Sequence, residues 1–444
     1  MYSLLLIGAI LCAYANSLTG PFLFDTLLGT TQNPLILFPH WPSWSELITP
    51  PVTAGRPIIV LSLLANAAIG GLSPIGYHVV NLAIHITAAL VLYGLVRHTL
   101  ALQKVTGTFS KKAPVTFADA NRIAFVAALL WGLHPLQTQS VTYIIQRAES
   151  LMGLCYLFTL YCVCRSATAA TPHRWWWMAF ISCVLGMSTK AVMVTAPLLT
   201  LLYDRVFLAG SWGEAVRRRG LLYLGLAATW GWLAYLAIAS GSATQGNAGP
   251  AISITPLEYL RSQPGVILHY LKLIVWPDPL VFDYVWPVAT TARAIWPPTI
   301  VLGLLIALII VAWRFAPAIS FFGIAFFLLL APTSTIFPIA DLAAEHRLYL
   351  PLAPAVLLGI LAADRVLPRR IGMWLAVFFV VTWGGLTLRR NMDYRSEEGM
   401  WRDVVAKRPL NARAQINLGM VLIKQKRIDE GNRYLQKGLQ LRQE

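Results

Sequence analysis

Charge is scarce in this chain: only 12% of its 444 residues are Asp, Glu, Lys or Arg, while 57% are hydrophobic. Soluble domains carry about 25% charged and about 45 to 50% apolar residues, so an ordinary cytosolic enzyme is excluded. Acids are the scarcer sign, 19 against 35 basic residues, which leaves a net charge of +16. Cysteine is also sparse. Cys12, Cys155, Cys162, Cys164 and Cys183 all fall inside apolar runs and none forms a Cys-x-x-Cys pair, so zinc and dithiol redox chemistry are not indicated and the thiols read as small core hydrophobes. Nucleotide-phosphate loops, haem motifs and Ser-His-Asp patterns are missing too, as are the paired half-helix repeats of a transporter. No nucleic-acid partner is expected.

What the chain has instead is apolar length. Segments suited to crossing a bilayer, which takes about 20 mainly apolar residues, fall near 2–17, 77–96, 122–134, 150–166, 175–188, 191–207, 220–240, 297–313, 317–331, 348–364 and 371–388. The expectation is an all-α polytopic membrane protein of about eleven transmembrane helices. With the N-terminus cytoplasmic, one set of loops carries Arg97, Lys104, Lys111, Lys112, Arg122, Arg165, Arg174, Arg205, Arg217, Arg218, Arg219, Arg314, Arg365, Arg369 and Arg370; the opposite set holds seven basic residues. The richer set belongs in the cytoplasm. An odd number of spans then places the C-terminus outside. Ala13-Tyr14-Ala15 is similar to a signal-peptidase site, but the basic n-region such a signal needs is missing. On either reading Asn16 lies on the outer face.

Two longer stretches belong to that face, 16–76 and 241–296. The first contains a short apolar piece, Pro57 to Ile69, suited to lying in the interface. The second runs through 256–276, readable as an interfacial helix or as a further span that would flip the tail. Residues 1–388 form one expected domain and 389–444 a soluble helical tail. That tail carries 13 basic and 7 acidic residues. In it, Leu418, Gly419, Leu422, Gly431, Leu435 and Gly438 follow the spacing of a tetratricopeptide repeat, with Gly at two positions where Ala is usual. One such repeat cannot bury its own apolar face.

Ionisable groups at span ends are costly near the bilayer and gather here on the outer side. Asp25 sits in Phe24-Asp25-Thr26, and Arg56-Pro57 opens the interfacial piece. His78, Asn81 and His85 share one helical face. His134 and Gln137 end the third span, Arg147 and Glu149 begin the fourth, where an Arg147–Glu149 ion pair is the plain alternative to a site, Lys190 stands alone between two short spans, and Glu345, His346 and Arg347 precede the tenth. Together they describe an outward-facing cavity with a carboxylate at its mouth and cations at interface depth. That arrangement suits a lipid phosphate: Asp25 or Glu149 would serve as general base, and Arg56, Arg147, Lys190, His346 and Arg347 would hold the departing phosphate.

Taken in order, Asn16-Ser17-Leu18, Phe24-Asp25, Arg56-Pro57, Gly76-Tyr77-His78, Asn81 to His85, His134-Pro135, Gln137-Thr138, Arg147-Ala148-Glu149, Thr189-Lys190, Asp283-Tyr284 and Ala344-Glu345-His346-Arg347 resemble the transmembrane and tetratricopeptide-repeat O-mannosyltransferases, of the C-type polyprenyl-phosphate glycosyltransferase fold. The resemblance runs along nearly the whole chain. It implies transfer of a hexose, mannose above all, from a polyprenyl-phosphate donor to Ser or Thr hydroxyls of an exported protein such as a pilin, on the outer face of a bacterial inner membrane. By position it maps the catalytic base to Asp25 and makes the tail an acceptor-positioning module. Three acids of the family pattern are replaced, by Thr26, Gln139 and Ala191. Fewer carboxylates disfavour a divalent metal. They also leave open a non-catalytic docking or assembly factor for a pilus or secretion system.

Overall fold

The computed structural model describes residues 1–37, 40–49, 53, 55–106, 117–241, 254–335 and 338–443. Lys111, Lys112 and the Gly-, Ser- and Asn-rich start of the 241–296 stretch lie outside them, as does the side chain of Lys104. Among the described residues every regular element is helical. The main ones are α1 (Tyr2–Tyr14), α2 (Pro57–Gly70), α3 (Pro74–Thr106), α4 (Phe117–Leu133), α5 (Arg147–Ser166), α6 (Pro172–Met187), α7 (Ala196–Phe207), α8 (Trp212–Ala239), α9 (Pro256–Val275), α10 (Ala292–Ala312), α11 (Pro317–Leu330), α12 (Leu352–Val366) and α13 (Arg369–Asp393). The tail follows as α14 (Glu397–Lys407), α15 (Ala412–Lys424) and α16 (Ile428–Gln443).

Local chemistry sets several of these boundaries. Proline opens α2, α6, α9 and α11 in the first turn, where its missing N–H costs nothing. A capping box between Thr255 and Glu258 starts α9, satisfying two otherwise orphaned groups.

Each apolar segment of the sequence coincides with a helix. Among the described residues, four helices are long and apolar enough to cross a membrane: Pro74–Leu102, Trp212–Ala239, Ala292–Ala312 and Arg369–Asp393. In α10 no residue is buried by protein. A helix apolar all round and uncovered by protein requires lipid around it, so this is a membrane protein. Helix α9 behaves differently. Its buried residues Tyr259, Ser262, Val266, Tyr270 and Leu273 recur at helical spacing along one stripe, while Glu258, Arg261 and Lys272 avoid it. That stripe packs on the protein, with Tyr259 donating to the Thr333 carbonyl and Tyr270 to the Ala344 carbonyl.

The packed centre comprises α3, α4, α5 and α6, with α1 and α13 against α4. In the tail, α15 and α16 pack more closely than any Cβ allows. A methyl at Gly419 would stand 2.8 Å from the Gly431 carbonyl oxygen and 2.9 Å from the Leu435 amide, and one at Gly438 2.9 Å from the Ile416 amide. This crossing explains glycine at positions where Ala is the usual choice.

Candidate functional site

Asp25 opens the short helix Asp25–Gly29 directly after Phe24, whose φ of 42° is left-handed. Such a backbone is strained for a residue with a Cβ and persists only when its surroundings enforce it. Here they are aromatic: the Phe24 ring meets Trp401 of α14 at 5.4 Å and Phe282 at 6.3 Å. The Asp25 amide donates to the Tyr143 hydroxyl at 3.1 Å. Burial, reinforced by the negative charges of Asp341 and Asp283 and opposed by Arg413, pushes the Asp25 carboxyl up to about 6. A carboxylate poised near neutrality is suited to general-base work.

The acids beside it are held by the tail. Arg413 of α15 grips Asp283 with two hydrogen bonds of 2.7 and 2.6 Å and reaches Asp341 at 2.7 Å. Asn411 donates to the Asp283 carbonyl, Lys407 to the Leu280 carbonyl, and Trp401 is fully buried. The expected soluble tail is thus seated on the loops that carry Asp283 and Asp341, beside Asp25.

A second cluster forms around Glu149. Glu149, in the first turn of α5, is buried and accepts from the part-buried Lys190 ammonium. Lys190 therefore does not stand alone, and its ion pair replaces the Arg147–Glu149 pair that sequence proximity suggests. Burial lowers the Lys190 pKa while Glu149 raises it, with a net fall. Arg56 is close enough to Glu149 to feel its charge. His346 also belongs here, pushed well below its ordinary pKa by burial and by Lys190, Arg347 and Arg56. Gln139 donates its amide to the Phe282 carbonyl at 3.1 Å and presents its oxygen to the His346 amide at 2.8 Å and to Nδ1 at 3.1 Å. An amide so oriented can only accept at Nδ1, so Nδ1 carries the proton and Nε2 is left as an acceptor. Neutral His346 in this tautomer can receive a proton or a hydroxyl; it offers Nε2 no donor for the phosphate expected of it.

The remaining candidates are turned into the protein. Arg147, fully buried, donates to Asn81 at 2.6 Å and to the Ser62 and Tyr77 carbonyls at 3.0 Å. Arg347 donates to the carbonyls of Thr333, Leu342 and Asp341. The sequence reading assigned both to the donor phosphate; in the structure both guanidinium groups are buried and hydrogen-bonded mainly to backbone carbonyls. Asn81 also binds the Val141 and Ile144 carbonyls, His78 the Gly20 carbonyl, His134 the Ile274 carbonyl, and Gln137 the Trp131 and Tyr349 carbonyls. Glu345 is fully buried, accepting from the Val281 amide and the Tyr284 hydroxyl, 3.6 Å from Arg390. These side chains fasten the helix ends that shape the site. Among the described residues no group of three or more His, Cys, Asp or Glu is placed to hold a metal ion.

Arg413, Asp341 and Tyr143 escape sequence reasoning altogether. No local spacing links Arg413 to Asp283, 130 residues away.

No family model matches the chain. Its curated relatives are protein O-mannosyl-transferases. It is 30% identical over 190 residues to Tmtc3 of Drosophila melanogaster, covering 40% of this chain and 20% of that protein. It is 26% identical over 492 residues to TMTC4 of Homo sapiens, covering 96% and 63%, and 25% identical over 449 residues to F38B6.6 of Caenorhabditis elegans, covering 94% and 59%. The matched region thus spans less than two thirds of each relative. Among solved structures, ArnT from Cupriavidus metallidurans bound to undecaprenyl phosphate matches with a TM-score of 0.45 at 14% identity, over 99% of this chain and 75% of that one. The resemblance to the transmembrane and tetratricopeptide-repeat O-mannosyltransferases holds at the level of sequence.

Proposed function

We propose that this chain is a membrane glycosyltransferase that moves a hexose, mannose by preference, from a polyprenyl-phosphate donor to Ser or Thr hydroxyls of exported proteins, at the outer face of a bacterial inner membrane. The observation that carries the reading is Asp25: a half-buried carboxylate brought near neutrality beside Asp341 and Asp283. In the proposed reaction Asp25 takes the proton of the acceptor hydroxyl as its oxygen attacks the anomeric carbon. The bond to the phosphate oxygen breaks with inversion, and the polyprenyl phosphate leaves as an anion that Arg56 and Lys190 stabilise. Residues 389–444, read as a short tetratricopeptide tail, would present the acceptor.

The names of the relatives support the sugar and the protein acceptor, and the basic residues of the opposite loops support the orientation. Thr26 and Gln139, where the family pattern has acids, favour the second reading, a docking or assembly factor. Purified protein given mannosyl-phosphoryl-undecaprenol and a Ser/Thr-rich peptide separates the two. Labelled peptide formed by wild type and not by Asp25→Asn supports the enzyme; no label from either, with both folded, supports the docking factor.

A further inference from the structure

We propose that Arg413, delivered by the tail, is a positioning residue of the catalytic centre: it holds Asp283 and Asp341 in place and offsets their charge beside Asp25, so that the membrane domain's base is complete only with the tail seated. This rests on the reading of Asp25 as the general base.

Asp283, after α9, and Asp341, before α12, share Arg413, and the negative charge of both is felt at Asp25, after α1. Uncompensated, like charges this close disfavour ionisation of whichever is most buried. Among the described residues the cation hydrogen-bonded to these side-chain carboxylates is Arg413, whose Nε and Nη2 form a fork on Asp283 while Nη2 also meets Asp341. Arginine suits the task because a planar fork fixes carboxylate direction as well as charge. The anchor is not adventitious to the tail's docking: Asn411 of the same turn binds the Asp283 carbonyl at 3.1 Å, Lys407 the Leu280 carbonyl at 2.8 Å, and Trp401 packs on Phe24, whose strained backbone aims Asp25. The groups facing Asp25 are then Tyr143 from the turn before α5, Asp283, Asp341 and Arg413. Asp283 and Asp341 raise its proton affinity and Arg413 lowers it.

A tail that merely rests on the membrane domain would not set the acid limb of a pH–rate profile. The test is the profile of peptide mannosylation, from pH 5 to 9, with full-length protein and mannosyl-phosphoryl-undecaprenol. Arg413→Gln should move the acid limb up by about one pH unit, the low end of what a neighbouring opposite charge contributes, giving up to about a tenfold loss below pH 6 that narrows toward pH 9. Arg413→Lys should return the limb most of the way. Asp341→Asn, which leaves the Arg413–Asp283 fork intact, should move it down. Arg427→Gln, on a surface ion pair of the tail, should leave it in place. The inference is overturned if the limb stays put in Arg413→Gln, or if Arg413→Gln loses activity equally at all pH while Asp341→Asn moves nothing. An active Asp25→Asn is a different failure: it removes the base reading itself.

Discussion

Replacing Asp25 by Asn should make the protein more stable and less active, by an amount the site fixes in advance. The ordinary carboxyl value is 3.8, and burial among like charges raises it to about 6 in the folded state. The native state therefore binds this proton more tightly than the unfolded chain. Between pH 3.8 and 6 stability falls as pH rises, and above about 7 the loss is complete. A shift of some two units at 1.36 kcal/mol each corresponds to about 3 kcal/mol. Asn has the same shape and no charge, so it escapes that cost. Thermal melts of the detergent-solubilised protein at pH 7.5 should give a higher midpoint for Asp25→Asn than for wild type. The gap should shrink as pH is lowered through 5 and vanish near 3.5, where the native carboxyl is itself neutral. A midpoint at or below wild type at pH 7.5, or a gap indifferent to pH, would refute the electrostatic account of Asp25.

Other groups give further expectations. Lys190→Met strips buried Glu149 of its partner and should destabilise by about 3 to 5 kcal/mol; Lys190→Met with Glu149→Gln should regain most of it, and a double variant as unstable as the single one speaks against the pairing. Gly419→Ala forces a Cβ within 2.8 Å of the Gly431 carbonyl and should loosen the α15–α16 pair by about 1 to 3 kcal/mol, read as faster proteolysis of the tail; unchanged cleavage contradicts the close crossing. Trp401→Ala empties a fully buried site against Phe24 and Phe282 at a cost of about 3 to 5 kcal/mol, and should release the tail to protease before the membrane domain melts.

How much of this was legible in the sequence follows from where the information lies. Long, continuously apolar runs read directly as helices because in lipid a helix satisfies its own backbone and a barrel strand would alternate; α3 and α10 could hardly be read otherwise. Topology alone put the ionisable residues at span ends in one group; the folded chain divides them, with Arg56, Glu149, Lys190 and His346 in one cluster and Asp25 beside Asp283 and Asp341 in another. What sequence could not supply was direction. Arg147 and Lys190 look alike as cations at span ends, yet Arg147 is 0% exposed and bound to carbonyls while Lys190 meets Glu149, 41 residues distant. His134 and Gln137 sit in a His-Pro motif that suggested chemistry; their side chains tie loop carbonyls together. Arg413 lay in a repeat helix read as a separate module, and only the folded chain brings it to Asp283.

The most direct test of the central claim is the intact mass of exported proteins from cells lacking this gene, complemented with wild type or with Asp25→Asn at matched membrane levels. The account predicts increments of one hexose restored by wild type and absent with Asp25→Asn. Increments restored equally by both, or by neither although wild type is folded in the membrane, would contradict it.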